Sequence, residues 1–232
     1  SAFPDLTGVF AFLAAPLACL DLDGLAGVRA LLQVAVEIKE SLANVPLDAY
    51  PLLAEQSSQL VLPPKTWSGL SRCLTAHGDI SDQASPELYS VRQEIRRIQQ
   101  LCTRKIQEVI QIKDLAHILQ DEYLTISADR YVLALKANFK GRLKGIVHHY
   151  SQTGETCYIE PLFLVELNNE LQELKQEERV AEQKILALLT DFIRQEETEL
   201  EDLFQALVRW DVLLDKPRSE ERFSRNAETD LV

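Results

Sequence analysis

The distribution of apolar residues along the 232-residue chain predicts three kinds of segment. The first, residues 1–88, contains short runs with apolar positions three and four apart, which is the spacing of one helical face. The clearest run follows Asp23, which we expect to cap it, and its apolar positions are Leu25, Val28, Leu31, Leu32, Ala35, Ile38 and Leu42. Shorter runs at 52–61 and 67–74 are bounded by prolines or by a glycine. We therefore predict a helical core over residues 1–88.

A long helix is predicted to begin at Ser85. Ser85 is a suitable N-cap, Pro86 suits the first turn, and Glu87 is favourable at the positive end of the helix dipole. The apolar positions of this helix fall mostly at heptad spacing and are Val91, Ile95, Ile98, Cys102, Val109 and Ile112. We assign residues 89–122 to this outgoing helix.

The hydrophobic period changes after Gln120. Runs rich in β-branched and aromatic residues follow, separated by turns that contain glycine, at 123–126, 131–135, 146–150 and 156–159. Gln152, Thr153 and Gly154 suit a tight connection between the last two runs. We predict a small β element of two hairpins within residues 123–164.

Helical spacing resumes near Val165 and continues to about residue 210. The apolar positions are Leu167, Leu171, Leu174, Ala181, Ile185, Leu188 and Phe192. At about 1.5 Å per residue, one helix of this length would measure roughly 70 Å, which exceeds a compact domain. We assign 165–212 to a returning helix and 213–232 to a tail. The predicted fold is mainly α: a helical core and a long antiparallel coiled coil, with a small inserted β subdomain.

Charge favours pairing of the two long helices. Residues 91–113 carry six basic and two acidic side chains, whereas residues 166–202 carry twelve acidic and four basic ones. Opposite net charges and matching apolar stripes are typical of an antiparallel coiled coil. The alternative interpretation of the acidic residues is an ordinary solvated helix face.

The β segment is basic within an acidic protein. The whole chain has a formal net charge of −12, yet residues 130–149 carry five Lys and Arg side chains and no acid. Such a patch attracts nucleic-acid phosphates, and the candidate ligands are Arg130, Lys136, Lys140, Arg142, Lys144 and His148. Aromatic candidates for stacking are Tyr131, Phe139 and Tyr150, and the turns could approach a nucleic-acid backbone closely at Gly141, Gly145 and Gly154. The alternative is a β edge protected by lysines.

Several other functions are not expected. No apolar run approaches the roughly 18 residues of a membrane span, so we predict no transmembrane segment and no membrane partner. Cysteines at 19, 73, 102 and 157 are too far apart for a metal knuckle or redox pair, and we interpret them as reduced, semi-buried residues of a cytosolic protein.

Catalytic patterns are also missing from the sequence. His148 and His149 are adjacent on a predicted strand, so they would face opposite ways and could not share one metal. Ser151, Cys157 and Glu160 lie in no recognised nucleophile frame, and the glycines form no phosphate-binding motif. We predict that this chain is not an enzyme and binds no cofactor or metal.

Two runs, 78–95 and 130–171, resemble bacterial MutS paralogues of the MutS-two subfamily, within the DNA mismatch repair MutS family. The shared features are a D-x-ASPEL helix entry, an RYV strand, a G-I-V-H strand, an S-x-(S/T)-G-x-T turn, an EP exit and a VELNN helix start, in the same order. The resemblance covers nearly all of residues 20–215. The sequence departs from the family at Leu133 to Lys136, where LPVK or IPVK is usual, and at His149, where an aspartate usually follows the histidine.

The resemblance implies the core, lever and clamp region of such a protein: a core over 1–88, lever helices at 89–122 and 165–212, and a β clamp at 123–164. It implies a fragment of a dimeric DNA-binding ATPase that uses ATP and Mg²⁺. The family's ATPase module and its Smr nuclease module are absent from this sequence, so we expect this chain to be non-catalytic.

The resemblance also implies the partners. Family members bind branched DNA and restrain recombination, while others act on collided ribosomes, so the clamp would contact the backbone of DNA or of ribosomal RNA. We expect the full-length parent to be a cytoplasmic homodimer. The alternative is a structural module whose coiled coil pairs with a partner protein.

Overall fold

The computed structural model describes residues 3–15, 18–43, 45–46, 49–112, 116–120 and 125–211. The helices are α1 (Thr7–Leu13), α2 (Leu22–Leu42), α3 (Pro51–Ser58), α4 (Pro64–Cys73), α5 (Pro86–Ile112), α6 (Leu162–Gln195) and α7 (197–211). The strands are β1 (Thr125–Ser127), β2 (Arg130–Lys136), β3 (Gly145–Tyr150) and β4 (Thr156–Pro161). This mainly helical fold with a small β subdomain confirms the predicted class. Residues 1–84 and 183–232 form one compact unit, and residues 85–182 form another.

Helix α2 in the first unit has the predicted buried face but a different cap. Its buried residues are Leu25, Val28, Leu31, Leu32 and Ala35. The N-cap is Asp21, whose side chain accepts a hydrogen bond from the Gly24 N–H at 2.9 Å. The prediction of Asp23 as the cap is therefore wrong. Asp21 has the extended backbone that an N-cap requires, whereas Asp23 already lies in the first helical turn.

Glu196 separates α6 from α7, so the prediction of one uninterrupted helix to residue 210 is also wrong. Its carboxylate is 7% exposed and accepts hydrogen bonds from the Lys65 and Thr66 N–H groups at 3.1 and 2.8 Å. These are N–H groups of the first turn of α4, which have no intrahelical partner. Burial raises the pKa of Glu196, but these hydrogen bonds and the Lys65 charge lower it overall.

In the second unit, α5 and α6 run antiparallel. Arg92 contacts Glu178 and Glu182 at 2.7 Å each, while Arg97, further along α5, lies 3.8 Å from the earlier Glu170. Buried apolar residues of both helices belong to one cluster. The Ser85 hydroxyl accepts from the Leu88 N–H at 3.1 Å, as predicted for the cap of α5. Coiled-coil geometry itself stays a prediction.

The outgoing helix is shorter than predicted. Helix α5 is described as far as Ile112, and residues Ala116–Ile118 form a 3-10 turn rather than a continuation of an α-helix to residue 122. The predicted tail, 213–232, lies outside the described residues. None of the helices in the described ranges is long and apolar enough to cross a membrane.

The four strands form one antiparallel sheet in the order β1-β2-β4-β3. The two predicted hairpins, β1–β2 and β3–β4, are present, and pairs such as Leu133 with Ile159 join them. The first predicted run, 123–126, begins outside the described residues, and its strand is Thr125–Ser127. Leu133, Leu135 and Ile159 pack into the cluster that α5 and α6 share, which places the core of this unit between sheet and helices.

The hairpin turns differ in how they are fixed. Gly154 has a φ of +74° and its N–H donates to the Ser151 carbonyl at 2.9 Å, in the turn predicted between β3 and β4. The β1–β2 turn places Ala128 and Asp129 at φ +47° and +62°, with no glycine. Lys175 on α6 contacts the Asp129 carboxylate at 3.1 Å, so a helix contact holds this turn.

All four cysteines are free, but they are not equally buried. Cys73, Cys102 and Cys157 are buried, whereas Cys19 is exposed. Cys19 lies in the connection that leads into α2 rather than in a helix or strand of the core. The prediction of a semi-buried thiol is therefore wrong for Cys19.

Candidate nucleic-acid interface

Four of the six predicted phosphate ligands lie on one exposed segment, residues 136–144, which we call the basic segment. Lys136 ends β2, Lys140 and Arg142 lie in the 3-10 helix Ala137–Arg142, and Lys144 precedes β3. All four side chains are exposed. The Lys136 ammonium donates to the His117 carbonyl at 3.0 Å.

Two apolar side chains anchor the basic segment. Leu143 is buried, and Phe139 packs against the shared hydrophobic cluster, with its ring edge-to-face on His117 at 6.1 Å between centroids. Phe139 and Leu143 lie next to the cations in the chain, and with these two side chains turned inward, Lys140, Arg142 and Lys144 are exposed to solvent. The segment therefore presents several charges from a fixed backbone.

Arg130 and His148 lie in a different environment. The Arg130 guanidinium donates to both Glu160 carboxylate oxygens at 2.7 and 2.9 Å, and also to Asn169 at 2.7 Å. His148 Nε2 lies 2.7 Å from Glu160 Oε2. The structure thus brings these two residues together around an acid rather than onto the basic segment. Their role as phosphate ligands stays a prediction.

Glu160 is the centre of a buried polar network that the sequence did not reveal. It is 1% exposed and accepts a further hydrogen bond from the Asn168 amide at 2.8 Å. Burial raises the pKa of Glu160, but hydrogen bonds from Arg130, Asn168 and His148 and the Arg130 charge lower it overall. A paired carboxylate of this kind holds the sheet to α6. The sequence offered one indication of this network, the Glu-Pro pair at 160–161. An acid is rarely buried in a strand unless it has a partner.

Two of the three aromatic residues proposed to stack on bases pack within the protein instead. Tyr131 and Phe139 pack against the hydrophobic cluster, and only Tyr150, at 44% exposed, is largely accessible. His149 stacks on Tyr158 with 4.4 Å between ring centroids. A bulge lies between Val147 and His149, so β3 does not follow the strict alternation assumed for the two histidines.

Gly145 has a role within the sheet. A Cβ at this position would overlap the Glu160 carbonyl oxygen and lie 2.8 Å from Ile159 Cγ1. Only glycine therefore allows β3 to pair with β4 at this point. Gly141, by contrast, has open space around its Cα and lies within the basic segment.

The structure assembles no nucleophile or metal site from the candidates named above. The Ser151 hydroxyl accepts from the Thr156 N–H at 3.1 Å within a turn, and Cys157 is buried in β4. Among the described residues, no group of three or more His, Cys, Asp or Glu side chains could hold a metal ion.

The sequence is similar to bacterial proteins named Endonuclease MutS2. It is 49% identical over 211 residues to the one from Maridesulfovibrio salexigens, covering 91% of this chain and 27% of the relative. It is 47% identical over 213 residues to the one from Solidesulfovibrio magneticus, covering 92% and 27%. It is 34% identical over 188 residues to the one from Halothermothrix orenii, covering 81% of this chain and 24% of the relative. The chain thus spans about a quarter of the length of these curated relatives. No family model matches it.

Proposed function

Because this chain belongs to the MutS2 family over the region that it covers, we propose that it is a non-catalytic core and clamp region that grips a nucleic-acid backbone. The basic segment makes the contact, and the paired helices α5 and α6 support it. The observation that carries this proposal is the exposure of Lys136, Lys140, Arg142 and Lys144 on nine consecutive residues that contain no acid. In a protein of net charge −12, a polyanion can approach closely only at such a surface.

The contact is expected to be independent of sequence. Lys and Arg contacts to phosphate oxygens position a protein on a backbone but carry no base information. DNA and ribosomal RNA share this phosphate backbone. The relatives are named Endonuclease MutS2, and in the resemblance described above this family acts on DNA. We therefore take DNA, branched or duplex, as the first partner, in mismatch binding, repair or the restraint of recombination. Ribosomal RNA, in the rescue of collided ribosomes, is the alternative.

The longer parent protein is proposed to supply what this region lacks. In this proposal the parent is a cytoplasmic homodimer whose ATPase module uses ATP and Mg²⁺, and a nuclease domain accounts for the name of the relatives. The clamp region would transmit movement between nucleic acid and ATPase through its helices.

The test is a titration of this chain against duplex DNA, a four-way junction, single-stranded DNA and a ribosomal RNA fragment, at two salt concentrations. The variant changes Lys136, Lys140, Arg142 and Lys144 to Glu. We expect binding by the original chain that weakens steeply with salt, since phosphate contacts release counterions. The variant should lose that binding.

The matched control changes four exposed cations outside the basic segment to Glu, namely Lys39, Arg72, Arg179 and Lys184. It has the same net charge as the variant but keeps the segment. If both proteins lose the same amount of affinity for nucleic acid, binding depends on overall charge and the proposal is contradicted. A third outcome is that the chain binds no nucleic acid but binds a protein partner with an affinity that does not depend on salt. That result would identify a structural interaction module.

A further inference from the structure

The rings of His149 and Tyr158 form a stack on the β sheet. The two residues lie opposite each other on β3 and β4, with 4.4 Å between ring centroids and 20° between ring planes. Tyr158 is half-buried, whereas His149 is exposed. We propose that the outer face of the His149 ring is a stacking site for an unpaired base, so that this region prefers nucleic acid with single-stranded or branched parts.

The orientation of the His149 ring is fixed by two contacts. Tyr158 covers one face of the ring, and the Ser127 hydroxyl lies 3.3 Å from Nδ1, within hydrogen-bond distance. These contacts occupy one face and one edge, which leaves the second face to a partner. Because the ring is already held in one orientation, little side-chain entropy is lost when a base stacks on it.

The chemistry of this surface favours a base as the partner. Aromatic side chains, histidine among them, stack on the unpaired bases of single strands. Every base has a planar face, so such contacts do not depend on sequence. β3 contains no acid, and Glu160, the acid of β4, is 1% exposed and paired with Arg130. No exposed carboxylate therefore lies on either strand to repel a phosphate beside the stack.

The basic segment adjoins the stack. Lys136 pairs with Thr156 on β4, two residues before Tyr158, so Lys136 lies on the same face of the sheet as the stacked rings. Diagonal neighbours of this kind are about 7–8 Å apart. The Lys136 ammonium donates to the His117 carbonyl, which leaves its other N–H groups for a phosphate. A strand whose backbone contacts Lys136 can thus place a base on His149.

Pairing of the bases decides which nucleic acids can use the site. In a duplex each base is stacked between its neighbours, and bringing it out of the stack costs a few kcal/mol. Unpaired bases at a junction or in a single strand do not bear that cost. The basic segment alone gives no such preference, because it contacts only the backbone.

This inference rests on the proposed function, and one set of titrations separates the two. The original chain and His149→Ala are titrated with oligothymidylate, with an abasic strand of the same length and with duplex DNA. We expect His149→Ala to bind oligothymidylate about tenfold more weakly, which corresponds to the stacking of one base. Its affinity for the abasic strand and the duplex should not change. The slope of log K against log salt should also stay the same, since stacking neutralises no phosphate.

Two matched variants accompany it. His77→Ala removes an exposed histidine from the other compact unit and should leave every affinity unchanged. His149→Phe keeps a flat ring at the site and should keep most of the affinity for oligothymidylate. Circular dichroism confirms that each variant is folded.

Each outcome decides between the two ideas. If the four-Glu variant of the basic segment loses binding while His149→Ala matches His77→Ala, the inference is overturned and the proposed function stands. If His149→Ala loses as much affinity for the abasic strand as for oligothymidylate, the ring contacts no base and the inference is overturned.

Two further outcomes concern the basic segment. If His149→Ala is weaker on oligothymidylate alone while the four-Glu variant binds like the original chain, the inference holds and the basic segment is not the contact. If the original chain binds no nucleic acid at low salt, the proposed function fails and the inference fails with it.

Discussion

The Asn168 side chain hydrogen-bonds both backbone groups of Tyr131: Oδ1 accepts from the N–H at 2.9 Å, and Nδ2 donates to the carbonyl at 3.0 Å. Tyr131 lies in β2 before the residues that pair with β4. An amide on helix α6 therefore satisfies backbone groups that strand β4 does not reach. Since Asn168 also donates to Glu160, one buried side chain links β2, β4 and α6.

Replacing Asn168 should destabilise the β subdomain. Asn168→Ala leaves the partly buried Tyr131 N–H and carbonyl without the Asn168 partner and removes one donor to Glu160. We expect the free energy of unfolding to fall by about 3 kcal/mol, because an unsatisfied buried group costs about 1–3 kcal/mol. Urea denaturation measures this. Asn169→Ala is the control: it removes one exposed acceptor of Arg130 and leaves Tyr131 and Glu160 paired, so it should cost much less, and an equal loss there would contradict the assignment.

The lowered pKa of Glu160 predicts a dependence of stability on pH. A carboxyl whose folded pKa lies below its ordinary value of 4.5 contributes stability above that value, and the contribution is lost as pH falls through the folded pKa. Glu160→Gln should lower stability at pH 7 by about 2 kcal/mol, because Arg130 loses its charged partner. Its stability should also vary less with pH below 4.5. Urea melts from pH 3 to 7 test both points, and an unchanged profile would refute the pairing.

Gly145 should tolerate no side chain. Gly145→Ala places a methyl group against the Glu160 carbonyl and Ile159, so β3 must shift. We expect a loss of about 3 kcal/mol, the upper part of the usual range for overpacking. Gly141→Ala is the matched control, since its Cβ would meet no atom within 4 Å. It should be neutral or stabilising by up to about 1 kcal/mol, and thermal denaturation of both variants compares them.

Glu196 should stabilise the start of α4. Glu196→Ala removes the acceptor of the Lys65 and Thr66 N–H groups, and caps of this kind contribute about 1–2 kcal/mol. Glu197→Ala changes the next residue, which is less buried, and should have little effect. Chemical denaturation followed by circular dichroism measures the difference. Equal stabilities of the two variants would show that the contact does not hold α4.

Local patterns predicted most of the secondary structure. Heptad spacing and the Ser85 cap identified α5, and β-branched runs identified both hairpins, because these features depend on neighbours in sequence. The interruption at Glu196 could not be predicted in this way. Gln195, Glu196 and Glu197 contain no helix breaker, and the contact that stabilises the interruption comes from Lys65 and Thr66, about 130 residues earlier.

The candidate site was predictable only in part. A count of charged residues was enough to find the basic segment, because exposed lysines stay in solvent without a specific partner elsewhere in the fold. The same count could not separate Arg130 from Lys140, because Glu160 lies 30 residues beyond Arg130 and outside the counted window.

The anchoring of the basic segment by Phe139 and Leu143 determines how a binding reaction would appear in a calorimeter. The backbone of residues 136–144 is already ordered in the folded protein. Association with a partner would therefore not include the loss of conformational entropy of this segment. Binding would bury little apolar surface and would therefore show a small change in heat capacity. Its favourable entropy would come mainly from released counterions, and would decrease as salt is added.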